Sequence, residues 1–295
     1  MFKYITYLSN DRDYKGALLL NHMLKKLNSM YSLECIVLEN VSDKIISILN
    51  TNEINIHKFN LKNILNDFGF DDNFSEYLVS KNYYGKYLIF SLTMYEKIVY
   101  LDTDLLLKSG IDELFDFDCN NNEMYMTYDT LINRNHDLSF YTKFVNSGVI
   151  VCKPNTTIYE YCYNSLKYYK QKISELNTDQ TIFNEAMKNN NLLIKYLPYK
   201  YNCVHSVVSE LLNANIIDEV KIIHFILSPK PWDYIDNSVM GYYYSNNSNY
   251  FMEWINLYFE MVKENTEKSF SKNIYRNYNS YLLKDECEIK SLEKL

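Results

Sequence analysis

Two short β-rich runs bracket an amphipathic segment at the start of the chain, and this alternation restricts the fold more than any other feature. "KYITYLS" (3–9) and "LECIVLE" (33–39) are strand-length and rich in apolar side chains. Between them "YKGALLLNHMLKKLNSM" places apolar residues at helical spacing. The pattern continues with a weak strand near "INIHKF", a helix over 81–95, the strand "KIVYL", a strand in "EMYMTYD" and another in "FVNSGVIVCKP". Helices over 156–173 and 178–190 follow, and "EVKIIHFI" closes the series as a strand. Strands that alternate with helices predict an α/β fold with a mixed, mostly parallel sheet flanked by helices. Ligands of such folds sit at the carboxyl ends of the strands.

No Pro/Gly/Ser linker or internal repeat divides the chain before about residue 240, so residues 1–240 are expected to form one domain. Residues 241–295 then read as a C-terminal helical extension. "YFMEWINLYFEMVKEN" (250–265) repeats at helical spacing, and the polar last thirty residues are expected to be loosely ordered. A net charge of -7 argues against a nucleic-acid or membrane-surface partner, because sequence-independent phosphate binding relies on clustered Lys and Arg. The 6 cysteines are scattered, without metal-like spacing, and read as reduced thiols. The N-terminus lacks the apolar core of a signal peptide, and no window approaches the length of a membrane span. The expected location is cytoplasmic.

"KIVYLDTDLLLKSGIDELF" (97–115) carries an apolar strand directly into Asp102 and Asp104. Asp-x-Asp also occurs at Asp11 with Asp13 and at Asp116 with Asp118, so spacing alone selects nothing. Context selects the middle pair, which a buried strand delivers to the carboxyl edge of the sheet. Two carboxylates about 4 Å apart repel by roughly 4 kcal/mol at an effective dielectric of 20, and so call for a cation. Their oxygens suit Mg²⁺ or Mn²⁺. A rival reading is the phosphorylated Asp-x-Asp of haloacid-dehalogenase-like phosphatases. That motif stands near the N-terminus and needs a later acidic pair, and the chain has no obvious one. A second strand end, "EVKIIHFILSPKPWDY" (219–234), supplies His224 and Lys230. A neutral imidazole beside the acidic pair shifts the preference toward Mn²⁺, and Lys230 could hold a diphosphate. Trp232 reads as a core aromatic.

"YEKIVYLDTDLLLKSGIDELF", "VNSGVIVCKP", "NTDQTIFN", "LPYKYN" and "HFILSPKPWDY" occur in the order found in glycogenin and the related family 8 glycosyltransferases, which the chain resembles from about Tyr4 to Tyr234. The resemblance implies a GT-A fold, with a Rossmann-like sheet, and a Mn²⁺-dependent retaining transferase that uses a UDP-hexose, with UDP-glucose the first candidate. It places Mn²⁺ on Asp102, Asp104 and His224, with Mg²⁺ as the alternative ion. Lys230 matches a diphosphate contact, and Leu227 stands beside it. Tyr7, Ser9, Asn10 and Tyr14 fall at the uridine end, and the Thr103 backbone lies against the ribose. Lys86 matches a lysine near the phosphates and the sugar. Asn146, Asp179 and Gln180 match residues that face the donor sugar. Lys86, Asp179 and Gln180 are the candidate catalytic groups, with Gln180 read as a positioning group.

Departures from the family bear on substrate. Leu227 replaces the glycine of H-F-x-G-x-x-K-P-W, where a side chain is expected to crowd the phosphate-facing backbone. Asp13 takes the position of the aromatic after the first strand, with Tyr14 one residue on. The self-glucosylated tyrosine of glycogenin aligns with Ser209, so a glycan or glycoprotein acceptor is preferred to a self-glucosylating primer. A catalytically silent UDP-sugar or glycan binder on the same fold is a third reading. The family often forms dimers, and a homodimer is carried as an expectation.

Overall fold

The predicted opening forms as β1 (Phe2–Leu8), α1 (Tyr14–Lys26) and β2 (Leu33–Leu38) in the computed structural model. The structure describes residues 1–129, 144–176, 178–188, 192–213, 215, 218–236 and 248–266. Next come α2 (Asp43–Thr51), β3 (Asn55–Phe59), α3 (Leu61–Asp67) and α4 (Asp72–Ser80). The Asn- and Ser-rich connections carry the caps. Ser42, Asn60 and Asp71 each accept a backbone N–H at the start of the helix that follows, as that end of a helix requires.

The helix expected over 81–95 is instead a 3₁₀ helix, Tyr84–Ser91, in which every residue from Tyr84 to Phe90 is buried. A segment covered on all sides has no solvent face to set a 3.6-residue period, and packing selects the tighter turn. It leads into β4 (Lys97–Leu101) and the three-residue β5 (Leu105–Leu107). Then follow β6 (Glu123–Tyr128), β7 (Val145–Cys152), α5 (Thr156–Tyr168) and α6 (Gln180–Lys188). The remaining elements up to Trp232 are β8 (Leu193–Tyr196), β9 (Cys203–Val204), α7 (Val208–Asn213) and β10 (Ile222–His224).

Among the described residues these strands make a seven-stranded sheet, in the order β3-β2-β1-β4-β7-β6-β8, and a three-stranded sheet, β5-β10-β9. β7 runs antiparallel to both of its neighbours, and the other pairs of the large sheet are parallel. The fold is thus the mixed, mostly parallel α/β sheet expected. β1 lies between β2 and β4, so successive connections leave it in opposite directions and open a crevice beyond its carboxyl end. Ser9 and Asp102 both follow strands that end at that crevice. Gly16 lets α1 approach the turn there, because a Cβ on it would lie 2.3 Å from the Thr103 carbonyl oxygen.

The chain divides into Met1–Trp232 and Asp233–Leu295. In the second unit α8 (Asp233–Asp236) precedes α9 (Ser248–Thr266), the helix expected over 250–265, where Trp254 and Tyr258 stack at 5.6 Å. The boundary expected near residue 240 and the polar tail lie outside the described residues. No helix among the described residues is long and apolar enough to cross a membrane.

At the opposite end of the strands, where β2 and β3 begin, Glu34 is buried with Lys3 at 3.0 Å and His57 at 2.7 Å, and it also accepts from Tyr95. Burial alone would raise its carboxyl, but the bonds from His57, Tyr95 and Lys3 outweigh that and hold it at about 2. A depressed carboxyl stabilises the fold above its ordinary value of 4.5, and the contribution is lost as pH falls through about 2. Glu34→Gln is therefore expected to lower stability by a constant amount at neutral pH. In urea melts across a pH series, its difference from wild type should shrink between pH 4.5 and about 2.

Candidate active site

Two backbone bonds fix the turn after β4. Asp102 N donates to Gly148 O of β7 at 2.9 Å, and Phe225 N donates to Asp104 O at 2.9 Å. The first ties the turn to the large sheet and the second to the small one. Antiparallel β5 and β10 then pair Leu105 with His224, which brings the imidazole beside the preceding Asp104. His224 Nε2 lies 3.2 Å from Asp104 Oδ1 and 3.8 Å from Asp102 Oδ2. The three side chains offer ligand atoms all within 4.8 Å of one another. Two carboxylates and an imidazole nitrogen, held together by two sheets, form a donor set that fits a divalent cation of the Mn²⁺ or Mg²⁺ kind.

Lysines offset the acidic charge. Lys86, buried in the 3₁₀ segment, places Nζ 3.0 Å from Asp102 Oδ1, 2.9 Å from Asp179 Oδ2 and 3.0 Å from Ser147 Oγ. Ser147 in turn donates to Asp179 Oδ2 at 2.6 Å, and Tyr100 donates to Asp102 Oδ1. Burial works against the charged ammonium of Lys86, but Asp102 and Asp179 outweigh it and raise its pKa well above the ordinary lysine range. Asp104 shows the opposite balance. Burial favours its neutral form, and the interactions with His224 and Lys230 overcome that and hold it far below the usual carboxylate range. Lys230 reaches both Asp104 and, at 2.8 Å, the Phe225 carbonyl, so the loop after β10 folds back over its own strand end.

The other expected positions are distributed as follows. Ser9 is buried just beyond β1 and accepts from Asn10 Nδ2 at 3.1 Å, while Asn10 Oδ1 accepts from Arg12 N at 2.8 Å. Tyr7 lies against Gly85, where a Cβ would come within 2.5 Å of the phenol oxygen, and Tyr14 opens α1. Asp179 immediately precedes α6, and Gln180 is its first residue. Asn146 is buried, with Oδ1 accepting from Gly148 N at 2.9 Å and from Asn202 Nδ2 at 2.7 Å. Leu227 has a φ of +66° and is 73% exposed. Its side chain projects outward, so the missing glycine is felt in a left-handed backbone rather than as crowding.

Ser147, Tyr100, Gly148 and Asn202 were not singled out from the sequence. Ser147, Gly148 and Asn202 stand inside "VNSGVIVCKP" and "LPYKYN", and Tyr100 shares a strand face with Asp102 two residues on. A seven-stranded mixed α/β sheet with an acidic cluster at its topological switch point defines a GT-A-type fold, and comparison with known proteins identifies the family. The model for glycosyl transferase family 8 matches residues 5–236, and the chain belongs to that family. It is 27% identical to human glycogenin-1 over 240 residues, covering 78% of this chain and 62% of that protein, and so spans about three fifths of that relative's length. It is 26% identical to galactinol synthase 1 of tomato over 244 residues, 78% of this chain and 74% of that one. The crystal structure of the galactosyltransferase LgtC in complex with donor and acceptor sugar analogs superposes with a TM-score of 0.63 at 16% identity. That match covers 93% of this chain and 99% of the other, and shows a shared fold. Family membership displaces the phosphatase reading.

Two substitutions test these balances. Lys86→Met leaves the buried Asp179 and the half-buried Asp102 without their shared counter-ion and is expected to cost about 3–5 kcal/mol in urea unfolding at neutral pH. The raised pKa means that the Lys86 contribution is complete at neutral pH and is lost only as pH rises above the ordinary lysine range. Leu227→Gly removes the left-handed penalty but frees the unfolded chain, so a net gain of about 0.5–1 kcal/mol is expected in the same measurement.

Proposed function

We propose that the protein is a metal-dependent, retaining hexosyltransferase. It moves a sugar from a UDP-sugar, UDP-glucose being the first candidate, to a hydroxyl on a glycan or glycoprotein. The observation that carries this reading is the Asp102–Asp104–His224 cluster at the crevice beyond β1 and β4, flanked by Lys86 and Lys230. A divalent cation held by those three residues would supply Lewis acidity to the donor's diphosphate.

The chain's own groups do the rest. Transfer breaks the bond between the anomeric carbon and the phosphate oxygen, and the electron pair leaves with UDP. Lys86 and Lys230 are fixed ammonium groups that stabilise this developing negative charge without reorganising. Ser9 and Asn10 stand where a nucleoside would enter, beyond β1. Asp179, held by Lys86 and Ser147, anchors the start of α6 so that Gln180 can orient the sugar. Retention follows if the acceptor oxygen bonds the anomeric carbon on the face the phosphate leaves, with its proton passing to the leaving phosphate oxygen. Ser209 is exposed on α7, and nothing in its surroundings marks it as an acceptor.

The reading is tested with a panel of UDP-sugars and Mn²⁺, following UDP release and intact protein mass together. Release from one donor, lost in the Asp102→Asn, Asp104→Asn variant, is the expected result. A gain of hexose mass on the protein itself would move the assignment to a self-glucosylating primer. UDP binding without turnover of any donor, even with glycan acceptors present, would make the chain a silent binder and overturn the proposal.

A further inference from the structure

His224 is wedged rather than merely near the acidic pair. Its ring lies over Gly148 of β7, where a Cβ would come within 2.3 Å of the imidazole Cε1 and 2.5 Å of Nδ1. Behind the ring runs a chain of hydrogen bonds whose members are buried: Thr127, Asn146, Asn202 and His224 are all 4% exposed or less. Nδ1 lies 2.9 Å from Asn202 Oδ1, and Asn202 Nδ2 reaches Asn146 Oδ1 at 2.7 Å and Thr127 Oγ1 at 3.0 Å. Asn146 Oδ1 also takes the Gly148 backbone N–H at 2.9 Å.

The direction of this chain is forced from one end. A backbone N–H can only donate, so the Asn146 atom facing Gly148 is the amide oxygen. That oxygen can then only accept from Asn202, so the Asn202 NH₂ faces Asn146 and its oxygen faces His224. A ring nitrogen 2.9 Å from an amide oxygen must carry hydrogen, since two lone pairs at that distance repel. With Nδ1 committed to Asn202, Nε2 is the nitrogen that faces Asp104 and Asp102, and it is the one left to meet a cation there. Turning Asn202 over would set oxygen against oxygen at Asn146, 2.7 Å apart.

We propose that Asn202, itself aimed by Asn146 and the Gly148 N–H, is a positioning residue that fixes hydrogen on Nδ1 of His224 and so turns Nε2 toward the place between the two carboxylates where a cation would accept its lone pair. The role is that of an outer-shell partner, which selects the tautomer and orientation of a ligand histidine. It also gives Asn146 a task other than contact with a sugar, since its oxygen is fully used within the protein. The inference rests on the metal-site reading above for its purpose, while the placement of the hydrogen can be measured without any metal.

The first arm of the test uses the metal-free wild-type protein. Long-range ¹H–¹⁵N spectra report which ring nitrogens bear hydrogen, and the His224 ring is assigned through contacts of its Cε1 hydrogen with Gly148. Hydrogen on Nδ1 is expected, and an Nδ1 without hydrogen overturns the proposal. The second arm titrates Mn²⁺ alone, followed by electron paramagnetic resonance. Asn202→Leu, which removes the acceptor, should weaken binding by about 10–100-fold, and Asn202→Asp, which keeps an acceptor for Nδ1–H, should recover most of the loss. Equal affinity in Asn202→Leu and wild type overturns the proposal, as does an Asp variant no better than the Leu variant. If Asn202→Leu does not fold, the wild-type spectrum decides. Hydrogen on Nδ1 together with no Mn²⁺ binding in wild type would refute the metal reading and leave the assignment of the hydrogen standing.

Discussion

The sharing of one buried ammonium between two carboxylates is the interaction on which the rest of the site depends. Lys86 stands 3.0 Å from Asp102 and 2.9 Å from Asp179, on an element that forms neither sheet strand nor long helix. Acidic side chains brought together at low dielectric repel strongly, and the fold tolerates them here because cations come from two separate directions. Lys86 enters from the segment before β4, and Lys230 enters from the loop after β10. Asp102 and Asp179 thereby share Lys86, and Asp104 has Lys230. The same lysines that make the cluster stable to fold are those that would meet departing phosphate.

Much of this was legible in the sequence, for a physical reason. β4 is covered on both faces, so "KIVYL" reads as a continuous apolar run, and the point where it turns acidic marks where the strand leaves the core. The β-α-β opening and the helix at 248–266 were legible because amphipathic periodicity survives wherever one face meets solvent. The 3₁₀ segment at Tyr84–Ser91 was misread as a helix because it meets no solvent, and the three-residue β5 is too short to carry any period.

The roles of Ser147, Tyr100 and Asn202 were hidden for a different reason. A hydroxyl or an amide gains meaning only from its partner, and the partners of Ser147 and Asn202 lie far away in sequence, while that of Tyr100, two residues on, is fixed by the turn after β4. The pairing of Leu101 with Val149 brings the Ser147–Gly148 stretch alongside the acidic turn. Leu227 is a middle case. The family pattern flagged the lost glycine, but only the backbone angle of +66° locates its cost in the main chain instead of the side chain.

The small sheet has a consequence for how the molecule comes into being. β5 follows the acidic turn directly, yet its partner β10 is supplied by chain that is synthesised much later, and Lys230 and Asp104 are 126 positions apart. Contacts of such separation form late, because closing a long loop costs entropy before any contact offsets it. Until β10 arrives, the acidic turn has neither imidazole nor second lysine, so a nascent chain carries its carboxylates without the groups that complete the cluster. The cluster is in this sense a property of the finished polypeptide, and a cation that bound it as proposed would also favour completion of the fold.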